Sequence, residues 1–434
     1  MRASCFVLGG GVTGLAAGIA SGLPVFEQAE HPGGICRSYY LRPGDDRRLP
    51  ARPADGLAYR FENGGGHWLF GEEPVVRRFL EDLVPLQRYR RRAAVYFPES
   101  GLRVPYPIQH HLHALDRTTV LSALEEMARP VPPARTMAEW LEGRFGPTLC
   151  RLFFAPFHER YTAGLWRRLA PQDVHKSPQD FALCLQGALA GTAPPAGYNV
   201  RFAYPVAGLD RLVQAMAERT TLVTGSRVVR IEPAARFVAF ADGRRCSYER
   251  LLSTLPLLRV LELAGLAVEA PADPFTSVLV LNLGARRGPA CPEEHWLYLP
   301  SSRSGFHRVG FYSNVDRSFL PAGAGEERVS VYVERAWPGG VRPGAEECAE
   351  YRRSAVAELQ EWGFIGEVEA MAEDWIEIAY TWSWPESPWR REALALLERY
   401  GIYQIGRYGR WRFQGILESI GEGLMAGAAL RERR

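Results

Sequence analysis

Six consecutive residues near the start of the chain, Gly9-Gly10-Gly11-Val12-Thr13-Gly14, constrain the fold more than any other stretch. They follow a short apolar run, Cys5 to Leu8, of strand type. An Ala-rich segment from Leu15 to Ser21 follows and reads as a helix. A second short strand, Pro24-Val25-Phe26, ends in Glu27. Gly9, Gly11 and Gly14 occupy the signature places of G-x-G-x-x-G. The first permits the tight turn out of the strand, the second lets the backbone approach a pyrophosphate, and the third lets the helix pack on the sheet. The free N–H groups and positive dipole end of the helix favour phosphate. Glu27 stands where an acid accepts ribose hydroxyls. The strand, the helix and the acid at this distance are the context that turns the motif into a dinucleotide site. Arg2 before an apolar, small-residue run also has the outline of a secretory signal. The glycines interrupt that run, no clear cleavage site precedes a plausible mature start, and the strand–acid ending has no role in a signal.

The next residues choose the cofactor. Pro32-Gly33-Gly34 and Arg37 follow Glu27 closely, and a nicotinamide dehydrogenase needs no second glycine pair there. The pattern E-x(5)-GG-x-x-R resembles the large flavoprotein superfamily of amine oxidases, phytoene desaturases, protoporphyrinogen oxidases and UDP-galactopyranose mutases. The resemblance implies FAD, with Gly33, Gly34 and Arg37 running under its pyrophosphate and flavin.

Composition narrows the rest. A chain of 434 residues is too long for one simple core, so two or three subdomains are expected. The formal net charge of +3 gives nucleic-acid binding no support. Lys176 is the only lysine, which leaves Schiff-base chemistry little room, whereas arginine suits bidentate phosphate recognition. Seven scattered cysteines, an odd number with no CxxC, disfavour zinc and a disulfide framework and fit a reducing cytoplasm. No apolar run reaches membrane-spanning length.

Along the chain, residues 38–60 read as a loop or hairpin excursion. Gly64-Gly65-Gly66-His67 can carry the backbone close to a flat ligand. Residues 74–88 show a helical apolar stripe. Glu99-Ser100-Gly101 joins two short strands as a hairpin. His110, His111 and His113 form an HHxH cluster, but adjacent histidines point different ways and no carboxylate accompanies them, so partly exposed histidines at a helix start are expected and no metal site. Residues 115–185 are largely helical, with a capping box at Thr136 and Glu139. Residues 188–197 read as a linker. Residues 275–337 alternate as an antiparallel sheet with one buried face. Residues 345–363 and 416–430 read as helices.

Several segments resemble the mutase branch: VPYPIQ at 104–109, WLYLP at 296–300, FHRVGFYSN at 306–314 and GRYGRW at 406–411. That resemblance implies His67 beside the flavin's reactive nitrogen, with Gly65 and Gly66 carrying its loop over the ring. It implies Arg407, after Gly406, at the flavin side, and the backbone at Val228 clamping the adenine. Tyr106, Tyr298, Arg308 and Asn314 match substrate positions, with Arg308 and Tyr298 suited to a diphosphate. The chain also departs from the mutases. His158 stands where they carry Asn. Ala203 replaces an arginine, for which Arg201 on the same strand face is the substitute candidate. Phe413 replaces a tyrosine whose hydroxyl binds the diphosphate.

The fold implied is α/β, a Rossmann-like FAD-binding domain with an inserted helical subdomain and a mixed or antiparallel β-sheet substrate domain. The expected divisions are 1–85, 195–265 and 400–434 for the discontinuous FAD domain, 86–194 for the helical subdomain and 266–399 for the sheet. The implied function is a nucleotide-sugar pyranose/furanose mutase, with reduced FAD as nucleophile at the anomeric carbon and NAD(P)H as a candidate external reductant. Arg308, His67 and Arg407 are the candidate catalytic residues. A redox enzyme of the amine oxidase, desaturase or protoporphyrinogen oxidase type is the first alternative. A non-catalytic FAD-binding relative is the second. The substrate's identity and the oligomeric state stay open.

Overall fold

The structure is a computed structural model that describes residues 5–172, 178, 180–191, 194, 195, 197 and 199–431. Lys176, part of the 188–197 linker and the last three residues lie outside the described residues.

The strand Cys5–Leu8 lies at the centre of a five-stranded parallel sheet. Its neighbours are Val25–Phe26 on one side and Arg250–Ser253 on the other; Leu222–Val223 and Ile402–Gln404 lie outside them. Phe6, Val7 and Leu8 have no exposure, as strands covered on both faces require. The start, the middle and the end of the chain thus meet in one sheet. The helix Val12–Ser21 crosses from the first strand to the second. The C-terminal helix Ile416–Ala429 packs along it at glycine spacing. A Cβ on Gly423 would sit 2.3 Å from Thr13 O and one on Gly427 2.3 Å from Ala17 O, so only glycine permits this approach.

The second large layer is a seven-stranded sheet, in the order Ile365–Thr381, Phe275–Arg287, Arg328–Pro338, Arg308–Phe311, Trp296–Tyr298, Ala93–Phe97 and Leu102–Pro105. All its pairs are antiparallel except Trp296–Tyr298 with Ala93–Phe97. The architecture is the expected mixed α/β one, with both parallel and antiparallel sheets and helices against them.

Two local expectations change. The helical stripe at 74–88 is a helix only over Pro74–Glu81; Leu86–Arg90 is a strand that pairs with Arg201–Pro205. Pro85 explains the break, because it lacks an N–H and biases the preceding residue away from helix. Within 86–194, residues 86–90, 93–97 and 102–105 are strand before the helices begin, and the hairpin 93–105 joins the seven-stranded sheet.

The helical layer contains Arg117–Met127 and Met137–Leu149. The Thr136–Glu139 capping box forms, with Glu139 N donating to Thr136 Oγ1 at 3.2 Å and Thr136 N donating to the Glu139 carboxylate at 3.1 Å. Gly146, at φ +76°, breaks the second helix just before Pro147. The chain then passes through a π-helical turn, Cys150–Phe154, into the helix Ala155–Tyr161. This wider turn, a feature often found at functional sites, places Phe153, Phe154 and Phe157 on a cavity wall.

Candidate functional site

One cavity of about 680 Å³ lies between the parallel sheet, the seven-stranded sheet and the helical layer. Its two ends are built differently.

The first end is backbone. Gly9 leaves the strand at φ +96°, where a Cβ would fall 2.1 Å from Thr254 Oγ1. A Cβ on Gly14 would fall 1.9 Å from Gly9 O, so this glycine sets the packing of helix on turn. Gly11 and Gly34 have nothing within 4 Å of the position a Cβ would take, and both line the cavity. Gly33 bridges to Gly11, with Gly33 N donating to Gly10 O at 2.8 Å. No side chain caps the start of the helix Val12–Ser21, and Val12 and Thr13 line the cavity. Open glycines beside an uncapped helix start fit the pyrophosphate of a dinucleotide. Glu27 lines this end and also braces it: its carboxylate accepts from Gly10 N at 2.6 Å and Ala29 N at 2.9 Å. A carboxylate has capacity for further donors such as ribose hydroxyls.

The second end is side chain. Arg308 and Glu334 face each other across antiparallel neighbours, and Arg308 donates twice, Nε at 2.9 Å and Nη2 at 2.6 Å. Glu334 is 1 % exposed. Burial opposes its charge, but the Arg308 guanidinium outweighs it, and its carboxyl is held down at about 2. His307, also buried, stands 3.6 Å from Glu334. Burial pushes its pKa down, so the ring is neutral. Tyr161, Tyr298, Tyr380 and Trp382 complete this wall. Tyr161 lies 4.7 Å from Tyr380 and 5.3 Å from His307 between ring centroids.

The triple-glycine turn joins the two ends. A Cβ on Gly65 would fall 2.8 Å from Glu334 Oε1, and one on Gly66 2.2 Å from the Tyr332 hydroxyl. Gly65 is needed so that the turn can seat on Glu334 and Gly66 so that it can seat on Tyr332; Gly64 and Gly66 line the cavity and Gly65 does not. His67 ends the turn. Its Nδ1 lies 3.2 Å from Gly65 O, and since a carbonyl only accepts, Nδ1 carries the proton and Nε2 is an acceptor. Burial lowers its pKa to about 4, so it is neutral near pH 7. Arg407 also lines the cavity. It donates to Gln414 O at 3.2 Å and Ala379 O at 3.1 Å, with the Phe413 ring 4.8 Å away.

Of the residues singled out from sequence, Gly9, Gly11, Glu27, Gly33, Gly34, Gly66, His67, Tyr106, Tyr298, Arg308, Gly406 and Arg407 all line this one cavity. Others do not reach it. Arg201 is exposed, at the start of its strand and opposite Arg90. It shares a face with Ala203, but that face runs out to solvent at residue 201. Asn314 holds a loop instead, donating to Pro292 O at 2.8 Å and Glu294 O at 2.7 Å and accepting from Arg287. Val228 lies in a separate sheet with Phe237–Phe240 and Arg245–Ser247. Arg37 is half-buried beside the turn, its carbonyl accepting from Asn63 N at 2.9 Å, and is not on the wall. His110, expected partly exposed, is fully buried, because its backbone packs on Gly187 of the helix Phe181–Leu189. Glu334, His307 and Tyr161 also line the cavity and are marked by no motif. The one available signal was a lone acid in the apolar strand Arg328–Pro338, which alternation alone could not register against Arg308. Among the described residues no group of three or more His, Cys, Asp or Glu is placed to hold a metal ion, and no helix is long and apolar enough to cross a membrane.

Comparison with known proteins adds to this geometry. The family model described as flavin containing amine oxidoreductase matches residues 21–431. In structure, the chain is similar to reduced UDP-galactopyranose mutase, with a TM-score of 0.82 and 21% identity over 98% of this chain and 94% of that one. It is similar to putrescine oxidase bound to putrescine, with a TM-score of 0.59 and 15% identity over 99% of each chain. It is also similar to a CLA-producing fatty acid isomerase from P. acnes, with a TM-score of 0.57 and 14% identity over 97% of each. At these identities the likeness is one of fold. No curated protein matches the chain in sequence.

Proposed function

The chain belongs to the family of flavin-containing amine oxidoreductases, and on that premise we propose that it is an FAD-dependent isomerase of the mutase type, acting on a nucleotide-linked sugar. The observation that carries this reading is that the glycine-lined end, His67 and the Arg308–Glu334 pair open into one cavity. FAD fits the glycine end, because Gly11 and Gly34 leave space where any side chain would intrude. When bound and reduced, the flavin supplies the nucleophile for the anomeric carbon.

The chain's own residues supply the rest. His67, neutral and with Nε2 as acceptor, takes a hydrogen bond without adding charge. Arg308 is fixed in direction by two bonds to Glu334 and turns its remaining donors to an incoming diphosphate. The Tyr298 and Tyr106 rings, 4.7 Å apart, offer hydroxyls and flat apolar faces for a sugar or base. The aromatic wall keeps water from the reacting carbon. Residence in a reducing cytoplasm belongs to the same reading, and all seven cysteines are unpaired.

A second reading, a redox enzyme acting on an amine or a polyene, draws on two observations. Glu334 neutralises Arg308, and Phe413 brings a ring rather than a hydroxyl to Arg407. The two separate in one experiment. Holoenzyme reduced anaerobically is given UDP-galactopyranose and a panel of other nucleotide sugars, and products are followed by chromatography. A furanose formed only with reduced flavin, over many turnovers and without net electron consumption, supports the isomerase. No product, together with O2 uptake by the oxidised protein on amines or polyenes, replaces it with the oxidase.

A further inference from the structure

The turn that carries Arg407 is held from behind by one acid. Glu422 lies in the helix Ile416–Ala429 and is 9 % exposed. Its Oε2 accepts from Gly406 N at 3.1 Å and from Gln414 Nε2 at 2.7 Å. Arg410 approaches Oε1 at 3.4 Å and Arg412 approaches Oε2 at 3.5 Å. Gly406 and Gln414 are the two ends of the segment that carries Arg407 and Phe413 to the cavity. Glu422 therefore closes that segment into a loop.

The support behind Glu422 is rigid. Its neighbour Gly423 packs directly on Thr13 O, and Thr13 lines the glycine end of the cavity. Gly406 adopts φ +77°, and a Cβ there would fall 2.8 Å from Thr13 Oγ1. The loop is thus pressed on the start of the first helix and pinned by Glu422 at the same point. Arg407 then donates to Gln414 O, the carbonyl of the residue whose side chain Glu422 holds. A guanidinium on a flexible stem gains a fixed direction only when its acceptors are fixed.

We propose that Glu422 is a positioning residue for Arg407, setting the arginine's place beside the flavin through Gly406 and Gln414. The proposal rests on the reading that the cavity takes FAD. It is tested on FAD-loaded protein by a double-mutant cycle of Glu422→Ala and Arg407→Ala, reading the FAD dissociation constant and the flavin's visible spectrum, with the thermal midpoint as a check of folding. Each single variant is expected to weaken FAD binding about tenfold, the scale of one lost charge-assisted hydrogen bond, and to change the spectrum alike. The double variant is expected to be no weaker than either single one, as residues acting in one chain are not additive. Glu422→Gln keeps an acceptor for Gly406 N and is expected to fall between wild type and Glu422→Ala; it carries the cycle if the alanine variant does not fold. Losses that multiply in the double variant overturn the proposal. So does a Glu422→Ala protein with a lowered midpoint but unchanged FAD affinity and spectrum while Arg407→Ala alters both. An Arg407→Ala protein that binds FAD unchanged overturns the placement of Arg407 beside the flavin as well.

Discussion

The two ends of the cavity obey different rules. The glycine end is made of backbone, with Gly9, Gly11, Gly14, Gly33 and Gly34 at places where a side chain is excluded or would fill the site. Its chemistry, N–H groups and a helix dipole, belongs to any chain that can adopt the turn. The far end is made of side chains that meet only because strands distant in sequence pair in one register, Arg308 against Glu334. On the proposed reading, the first end constrains the cofactor and the second selects what is brought to it. A family can keep the first and exchange the second, so fold likeness to a mutase and to an oxidase can coexist.

The sharpest way to break the comparison is to put a side chain into the backbone end. Gly14→Val places branched carbon where Gly9 O already stands 1.9 Å from a Cβ. Loss of FAD from the purified protein is expected, read as the flavin-to-protein ratio; full FAD content would remove the claim that backbone builds this end. At the other end, Glu334→Ala leaves the half-buried Arg308 without its partner. A loss smaller than the about 3–5 kcal/mol of a fully buried broken pair is expected in denaturant unfolding, with the glycine end intact and FAD still bound by the folded fraction.

Acid separates the ends more gently. Burial lowers His67 from 6.5 to about 4, so between those values the unfolded chain binds more protons. Its contribution to stability is full above pH 6.5 and is lost as pH falls through 4. Glu334 is lowered from 4.5 to about 2, so its contribution is full above 4.5 and is lost as pH falls through 2. Urea midpoints against pH are expected to show a shallower slope between pH 6.5 and 4 in His67→Asn than in wild type. The slope below 4.5 is expected to remain. A kinetic pKa near 6.5 that disappears in His67→Asn would contradict the lowered pKa of His67.

Two smaller effects concern residues that resemblance placed at the substrate. Asn314→Ala is expected to cost about 1–2 kcal/mol in unfolding free energy, because two carbonyls of the 291–294 loop lose their donor. Nucleotide binding is expected to be unchanged. Arg201→Ala is expected to change stability by less than about 0.5 kcal/mol, as exposed positions do, and substrate affinity not at all. A tenfold loss of nucleotide affinity in Arg201→Ala would return that arginine to the site.

The difference between the ends also accounts for what could be read from sequence. A backbone site needs particular residue types at fixed local spacing, so the glycines and Glu27 could be identified directly. Arg407 and His67 could be found because each follows a glycine turn in a recognisable segment. Arg201 lies off the cavity because strand alternation gives a face but not how far along it the cavity extends, and Asn314, placed by resemblance, falls in the helical turn Tyr312–Val315 and holds a loop. Glu334 could not be found, because its meaning depends on the register between strands 308–311 and 328–338. The strand that starts at Leu86 reads as helix through residue 88 because Leu86 continues the helical spacing past Pro85.

The central claim is that one cavity holds the flavin at its backbone end and a nucleoside diphosphate at Arg308. Anaerobic titration of the oxidised holoenzyme with UDP, followed in the flavin's visible spectrum, tests it most directly. The account predicts a saturable spectral change in wild type, with an affinity at least about tenfold weaker in Arg308→Ala. A spectrum that stays unchanged at saturating UDP but is bleached by putrescine would contradict it and place the chain among the oxidases.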